Sequence, residues 1–391
     1  MNNKNKKLAI VTTHPIQYYA PLFKMLNERG SLTVKIFYTW SQSQRGALYD
    51  PGFGKSIEWD IPLLEGYDHS FVNNTSSKPG THHFLGIINP TLNAEVEKWD
   101  PDAILIIGWS FKSHLNCMRH FHKKVPILFR GDSTLLAEHI GPKLLLRTLF
   151  LKWVYRYIDY ALFVGTNNKN YFLRHGVKEK QLVFAPHAID NERFFDKDNR
   201  YSDDAGQWRT GLGIKETDPV FLFAGKLEDK KSPELLIAAF MLMTDPAAHL
   251  IVIGNGPLET KLKSKYKTVK NLHFIDFQNQ SQMPVAYRLG QVLVLPSKGP
   301  IETWGLSVNE AMACSRAIIV SDRCGCGVDL VKENINGFIF RRTNLKALTG
   351  KMNFLLNNKS TLPDMGKASL EIIKEWSFDK ICDSIELVVL Q

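Results

Sequence analysis

Two glutamates and two lysines are the residues best placed to do chemistry. In residues 293–331, a short apolar run ends in a Pro-Ser loop, Glu302 follows, Gly305 interrupts the chain, and a helix starts near Ser307 with Glu310 in its first turn. The backbone amides of Gly305, Leu306 and Ser307 are expected to form an open helix N-terminus, which suits a phosphate. Ser307-Val308-Asn309-Glu310 also fits a capping box, which explains Glu310 without a ligand but leaves Glu302 unexplained. In residues 221–239, an apolar strand ends at Gly225. Lys226, Lys230 and Lys231 follow, then Ser232-Pro233 in the positions of a helix cap and first turn. Lysines between a strand end and a helix start suit a diphosphate as point charges. The competing reading is a solvated lysine loop.

These groups need a scaffold of strand ends. Short apolar runs at residues 7–12, 32–38, 103–107, 125–129 and 160–164 alternate with amphipathic stretches such as 19–27. The second half repeats the pattern, with strands expected at 219–224, 249–253, 272–275, 291–295 and 317–320 and helices at 233–243, 258–267, 283–289 and 308–314. Such alternation implies βαβ units and parallel sheets. The polar stretch 190–219, with Asp196, Asp198, Asp203 and Asp204, reads as a linker between two α/β domains. Two open sheets would bind ligands in a cleft at their strand C-termini.

Composition narrows the classes. The 391 residues suggest two domains, and 44% hydrophobic with 23% charged residues excludes global disorder. No apolar run approaches the roughly 18 residues needed to span a bilayer, and residues 8–11 are too short for a signal-peptide core. Five cysteines make no disulfide framework, so a reducing, cytoplasmic setting is expected. The net charge of +10 is uneven: residues 1–190 hold 23 Lys and Arg against 15 Asp and Glu, and the remainder 26 against 24. A basic half suggests an anionic partner such as a nucleotide, a lipid phosphate or a membrane surface, while no nucleic-acid recognition module is present.

The two lysine and glutamate stretches together resemble the family 4 (group 1) retaining glycosyltransferases. The resemblance rests on Gly225-Lys226-Leu227 with Lys231-Ser232, and on Glu302 seven residues before Glu310-Ala311-Met312. Gly254-Asn255-Gly256-Pro257, Leu295-Pro296-Ser297, Asp329-Leu330-Val331 and Asn336-Gly337-Phe338 add to it, in order, between Val220 and Phe340. Lys226 stands where the family usually has Arg, keeping the charge without the bidentate fork, and Ser232 replaces a Gly. The first half is similar only to a bacterial subset, through His14-Pro15-Ile16-Gln17-Tyr18, Pro21-Leu22-Phe23, Phe53-Gly54 with Trp59–Leu64, and Arg130-Gly131-Asp132-Ser133.

The resemblance implies a GT-B fold: two Rossmann-like, doubly wound α/β domains facing a central cleft. Residues 1–190 would bind the acceptor, 191–218 would link, and 219–375 would bind a nucleotide sugar. A final helix near 376–391 would cross back to the first domain. It implies transfer of a sugar from a nucleoside diphosphate sugar to a glycan or lipid-linked saccharide, with retention, without a metal or other cofactor, in surface polysaccharide synthesis. Lys226, Lys231 and the amides at Gly305, Leu306 and Ser307 would hold the phosphates, with Gly225 at the turn. Glu302 would meet donor-sugar hydroxyls and Glu310 the ribose. His14, Arg130 and Asp132 are the acceptor-side candidates. A nucleotide-sugar epimerase, a phosphorylase and a non-catalytic sugar-nucleotide-binding protein are the alternatives on the same fold.

Other patterns carry less. Asp196-Lys197-Asp198 is a DxD match outside a strand end, and Cys324-Gly325-Cys326 reads as a Gly-rich turn without partners for zinc. His82, His83, His120 and His122 lack carboxylate company in the sequence and read as surface residues; His187 follows Pro186 near the domain junction, where the resemblance implies a hinge. Residues 141–160 combine Lys143, Arg147, Lys152 and Arg156 with leucines and aromatics. They fit either a core helix or a helix lying on an anionic membrane, the latter placing the enzyme peripherally on the inner face.

Overall fold

The computed structural model describes residues 5–45, 48–50, 52–138, 141–299 and 302–391. Residues 1–4 of the basic N-terminus and residues 300–301 of the 293–331 stretch lie outside them. Runs rich in Val, Ile and Leu, buried on both faces, form two sheets whose neighbouring strands all pair in parallel, as expected where helices cover each side.

The first sheet has seven strands. In chain order they are β1 (Lys6–Thr12), β2 (Leu32–Tyr38), β5 (Asp68–Phe71), β6 (Ala103–Ile107), β7 (Ile127–Arg130), β8 (Tyr160–Phe163) and β9 (Leu182–Phe184), in the spatial order β5-β2-β1-β6-β7-β8-β9. Between β2 and β5 a separate two-stranded ladder joins β3 (Leu48–Asp50) to β4 (Lys55–Ile57). The second sheet has six strands, β10 (Val220–Ala224), β11 (His249–Ile253), β12 (Leu272–Ile275), β13 (Val292–Leu295), β14 (Ala317–Ser321) and β15 (Gly337–Phe340), ordered β12-β11-β10-β13-β14-β15. The strand order reverses direction beside β1 and again beside β10. Loops leaving β1 and β6, or β10 and β13, therefore turn to opposite sides and open a crevice at the strand ends.

Contacts divide the chain into two units. One gathers the residues up to Leu48, Ile61–His187 and Phe378–Gln391; the other gathers Tyr49–Asp60 and Ala188–Ser377. In the first unit the helix Phe378–Leu390 is fastened by Arg29, whose guanidinium reaches Asp379 at 2.7 Å, Asp383 at 2.6 Å and Glu386 at 3.0 Å, and by Lys6 donating to the Val389 carbonyl at 2.8 Å. Two features depart from the sequence reading. Tyr49–Asp60, placed by sequence in the first domain, clusters with the second. The supposed linker 191–218 holds the helices Asn191–Phe194 and Arg200–Gly211 and belongs to the second unit. Its polarity misled because its key anchor is itself charged. Arg209 is buried and donates to the carbonyls of Leu289 at 3.1 Å, Lys215 at 2.7 Å and Asp218 at 2.9 Å.

Arg209→Met keeps the length of the side chain but strips those carbonyls of their donor. Charge-assisted hydrogen bonds of this kind contribute about 1.5–3 kcal/mol, so urea unfolding should show a loss of that order. A loss under about 0.5 kcal/mol would mean that residues 191–218 are dispensable to the second unit.

Candidate functional site

The second unit places the predicted donor-side residues on the two loops that leave β10 and β13, at the reversal of strand order. Gly225 ends β10 with φ +155°, and Lys226 follows; Lys231 closes the single turn Asp229–Lys231. From β13, Pro296 and Ser297 lead to Glu302 and Gly305. The Lys298 amide donates to the Lys230 carbonyl at 2.9 Å, tying the loops together. The Lys231 ammonium pairs with Glu302 Oε2, and Ser297 Oγ donates to the same oxygen at 2.8 Å. Both charged side chains are largely covered.

A glycine turn supports Glu302 from behind. The Gly325 amide donates to the Glu302 carbonyl and the Cys326 amide to that of Trp304, both at 3.1 Å. A Cβ on Gly325 would sit 1.7 Å from the Thr303 carbonyl oxygen, so only glycine permits the approach. Cys324 and Cys326 flank it as buried thiols; burial pushes the Cys324 thiol up to about 12, which leaves it protonated and inert.

The helix that follows is Leu306–Ala313, capped by Gly305 at φ +104°. This corrects the capping-box reading. With Gly305 at the cap, Ser307 is the second helical residue and Glu310 the fifth, too far along to reach back to the cap. Glu310 is 3% exposed and accepts from Tyr287 Oη at 2.6 Å, while Trp304 Nε1 donates to Asn309 Oδ1 at 2.8 Å. The first N–H groups of this helix have no intrahelical acceptor. Ser232, expected to cap the helix Pro233–Phe240, does sit at its cap. Its backbone is left-handed at φ +53°, however, and its hydroxyl donates to the Asp229 carbonyl instead of accepting from the helix.

Sequence reasoning missed Asp50. Its two carboxylate oxygens each accept from the Lys226 ammonium at 2.9 Å, and Phe53 lies beneath that ammonium, with its ring centre 5.0 Å away. Nothing in the sequence relates Asp50 to Lys226, because 176 positions separate them. Tyr287 was likewise unmarked. Ser297 had a signal, its place in Leu295-Pro296-Ser297.

In the first unit, Arg130 at the end of β7 is buried and donates to the carbonyls of Ala185 and Pro186, each at 2.8 Å. Arg130 and Asp132 both lie close enough to act electrostatically on Tyr19 and on His187. Burial drives the His187 imidazole down to about 4, with the Arg130 charge adding to the shift and Asp132 opposing it. Burial and the Asp132 charge lift the Tyr19 phenol against the opposing pull of Arg130. His14 sits beside Thr13 and edge-on to Trp40, with burial lowering it to about 4. Both histidines are neutral at pH 7.

The remaining candidates have structural partners. Asp196 accepts from the amides of Tyr201 and Ser202 and pairs with Arg288 at 3.3 Å, so the DxD match is a loop anchor. His120 does have carboxylate company, contrary to the sequence reading, with Glu97 Oε1 2.6 Å away. The Lys143 region forms the helix Pro142–Tyr155. It buries Thr148, Leu151, Val154 and Tyr155 on one face and exposes Leu145, Leu146, Leu149 and Phe150 by 63, 67, 56 and 45% on the other. Among the described residues, no helix is long and apolar enough to cross a membrane.

Comparison with known proteins is consistent with this geometry. Residues 204–371 match the family Glycosyl transferases group 1. Among curated relatives, sulfoquinovosyl transferase SQD2 of Arabidopsis thaliana is 28% identical over 201 residues, covering 51% of this chain and 38% of its own. O-antigen chain mannosyltransferase C of Escherichia coli is 26% identical over 171 residues, covering 43% of this chain and 44% of its own. The chain thus matches less than half the length of either relative. A solved structure of HepE from Anabaena, in complex with UDP and glucose, superposes with a TM-score of 0.71 over 99% of this chain and 100% of that one, at 15% identity. At this identity the likeness shows the fold: the two parallel-sheet α/β units are those of a GT-B fold, and residues 204–371 of the second are similar to the group 1 glycosyl transferases.

Proposed function

We propose that the protein is a retaining glycosyltransferase that moves a sugar from a nucleoside diphosphate sugar to a glycan or lipid-linked saccharide acceptor. One observation carries the reading: Lys226, Lys231, Glu302 and an open helix N-terminus share the two bonded loops at the strand-order reversal of the second sheet. Breaking the anomeric bond builds negative charge on the departing diphosphate. Lysine ammonium groups and helix amides fixed beforehand stabilise that charge without reorganising. Lys226 and Lys231 take the phosphates, with the amides of Gly305, Leu306 and Ser307 beside them. Glu302, steadied by Ser297 and Lys231, meets the donor-sugar hydroxyls. Glu310, oriented by Tyr287, meets the ribose. No protein base is assigned; the departing phosphate takes the acceptor proton on the face that it leaves, which is what retention requires. No metal is invoked. The UDP and glucose bound by HepE support a nucleotide-sugar donor, and the mannosyltransferase of an O-antigen chain supports a surface-polysaccharide acceptor.

The acceptor side is proposed to work at the inner face of an anionic membrane. The exposed leucines of the helix Pro142–Tyr155, with Lys143 and Lys152 exposed beside them, match an apolar face bordered by cations. His14 and Asp132 would face the acceptor, with Arg130 buried on the Ala185 and Pro186 carbonyls as their support.

Two experiments test these assignments. With a donor identified by thermal-shift screening of nucleoside diphosphate sugars, Lys231→Ala should slow transfer by about 10²–10³. Glu302→Gln should also reduce transfer while leaving affinity for the free nucleoside diphosphate undiminished. Glu310→Gln should weaken that affinity. Equal nucleotide affinity in Glu310→Gln and wild type removes the ribose role, and wild-type turnover in Lys231→Ala restores the solvated-loop reading.

For the membrane, co-sedimentation with phosphatidylglycerol vesicles should be strong at low salt. It should fall steeply near physiological salt, where charges beyond about 8 Å are screened. Leu146→Ser with Leu149→Ser should reduce it without altering nucleotide binding. Vesicles that leave the wild-type protein in solution at low salt exclude the membrane reading.

A further inference from the structure

The Lys226 ammonium already has an anion. Asp50 offers both carboxylate oxygens at 2.9 Å, and the backbone at Gly52 lies over the lysine side chain. The same Asp50 carboxylate accepts from the amides of Gly52 at 2.7 Å and Phe53 at 3.2 Å, which shapes the turn. A Cβ on Gly52 would lie 2.6 Å from the Lys226 side chain, so the backbone rests directly on it. Burial works to raise the Asp50 carboxyl, yet the Lys226 ammonium and the two amides hold it below the ordinary carboxylate range, so it is ionised at neutral pH.

The segment has a second attachment. Phe53 and Trp59 pack on the Phe277 ring at 4.9 and 6.1 Å, and Lys55 lies 4.8 Å from its centre. Asn279 donates to the Glu58 carbonyl at 2.7 Å, and the Ser281 amide donates to Asp60 at 3.1 Å. The 58–60 end is therefore held by loop contacts with no place in the chemistry. The 50–53 end is held by a lysine that the proposed function assigns to the donor.

We propose that residues 49–50 and 52–60 belong to a strap whose Asp50 carboxylate stands in for a donor phosphate on Lys226, and that a nucleoside diphosphate must displace it to bind. The inference rests on the assignment of Lys226 to the donor diphosphate. One ammonium does not serve a two-oxygen carboxylate contact and a phosphate in the same place. The Asp50–Lys226 pair is about one-third exposed, so its contribution is that of a partly screened ion pair, small enough for a dianionic or trianionic ligand to overcome. With the site partly closed, apparent affinity falls by the fraction of molecules that are open. The strap thus sets the donor concentration at which the site fills.

The test uses the full chain and the tightest binder among UDP, GDP, ADP and TDP, followed by isothermal titration. Asp50→Asn keeps an oxygen to accept from Gly52 and Phe53, so the turn survives while the competing charge goes. It should tighten diphosphate binding by about two- to fivefold, the range expected for a partly exposed ion pair. In wild type, hydrogen exchange of the 52–57 amides should quicken when the diphosphate is added, while that of 279–281 stays unchanged. Lys226→Met should weaken binding whatever occupies position 50. If Lys226→Met weakens binding but Asp50→Asn leaves it unchanged or weaker, the strap is overturned and Asp50 merely orients Lys226. If Lys226→Met binds as wild type does, the donor-site assignment falls and the strap with it. Should no diphosphate bind the wild-type chain, Asp50→Asn must create binding, and its failure to do so overturns the strap.

Discussion

The ion pair of Lys231 with Glu302 is the joint on which the candidate site depends. It bridges the loop after β10 to the loop after β13, and both partners are largely covered, with side-chain exposures of 19% and 11%. Removing two charges from water is costly, and such a pair persists only where further hydrogen bonds complete it. Here Ser297 supplies the extra donor to Glu302, and the Lys298 amide supplies a backbone link between the same loops. Gly325 then lets the next loop pack against the backbone of residues 302–304. The helix starting at Leu306 inherits its direction from that arrangement. Breaking the pair would leave a largely covered carboxylate with Ser297 as its donor and the Lys298 amide as the bond between the loops.

The parallel sheets explain why the joint sits there. Strands buried on both faces are nearly interchangeable runs of Val, Ile and Leu, and they carry no chemistry themselves. What distinguishes β10 and β13 is their neighbours: one strand's connections run toward β11, the other's toward β14. Loops leaving adjacent strand ends in opposite directions cannot cover each other, so polar groups collect in the uncovered space. The lysines come from one loop, while the glutamate and the helix N-terminus come from the other.

This division also governs what could be read from sequence. Strand periodicity and the Gly-Lys and Glu-Glu spacings were legible because each lies within one βα unit. Leu32–Tyr38, Ala103–Ile107 and His249–Ile253 match expectation residue for residue. The Glu310 cap was misread because the helix starts two residues before the expected position. A left-handed Gly305 ends the loop, and Ser307, a good cap by type, is already inside. The polar 191–218 stretch hid two helices because Arg209 anchors them through backbone carbonyls, which leave no trace in hydropathy. Short β5, β9 and β15 were not marked as strands in the sequence, and β5, Asp68–Phe71, is mostly polar. The contact of Asp50 with Lys226 was beyond sequence altogether, since it joins positions far apart in the chain by charge alone.

Charge accounting links these features. A site built to receive a diphosphate gathers lysines, and in the absence of a ligand those lysines repel one another and hold water. In this chain each of the two lysines is matched by one carboxylate, Lys231 by Glu302 and Lys226 by Asp50. The two matches are unlike. Glu302 comes from the adjoining loop and is fixed by Ser297 through the same oxygen that meets Lys231. Asp50 comes from a distant part of the sequence, is more exposed, and accepts from its own turn as readily as from the lysine. The first carboxylate ties together the loops that β10 and β13 hold in place, whereas the second ties one of those loops to residues far away in the sequence.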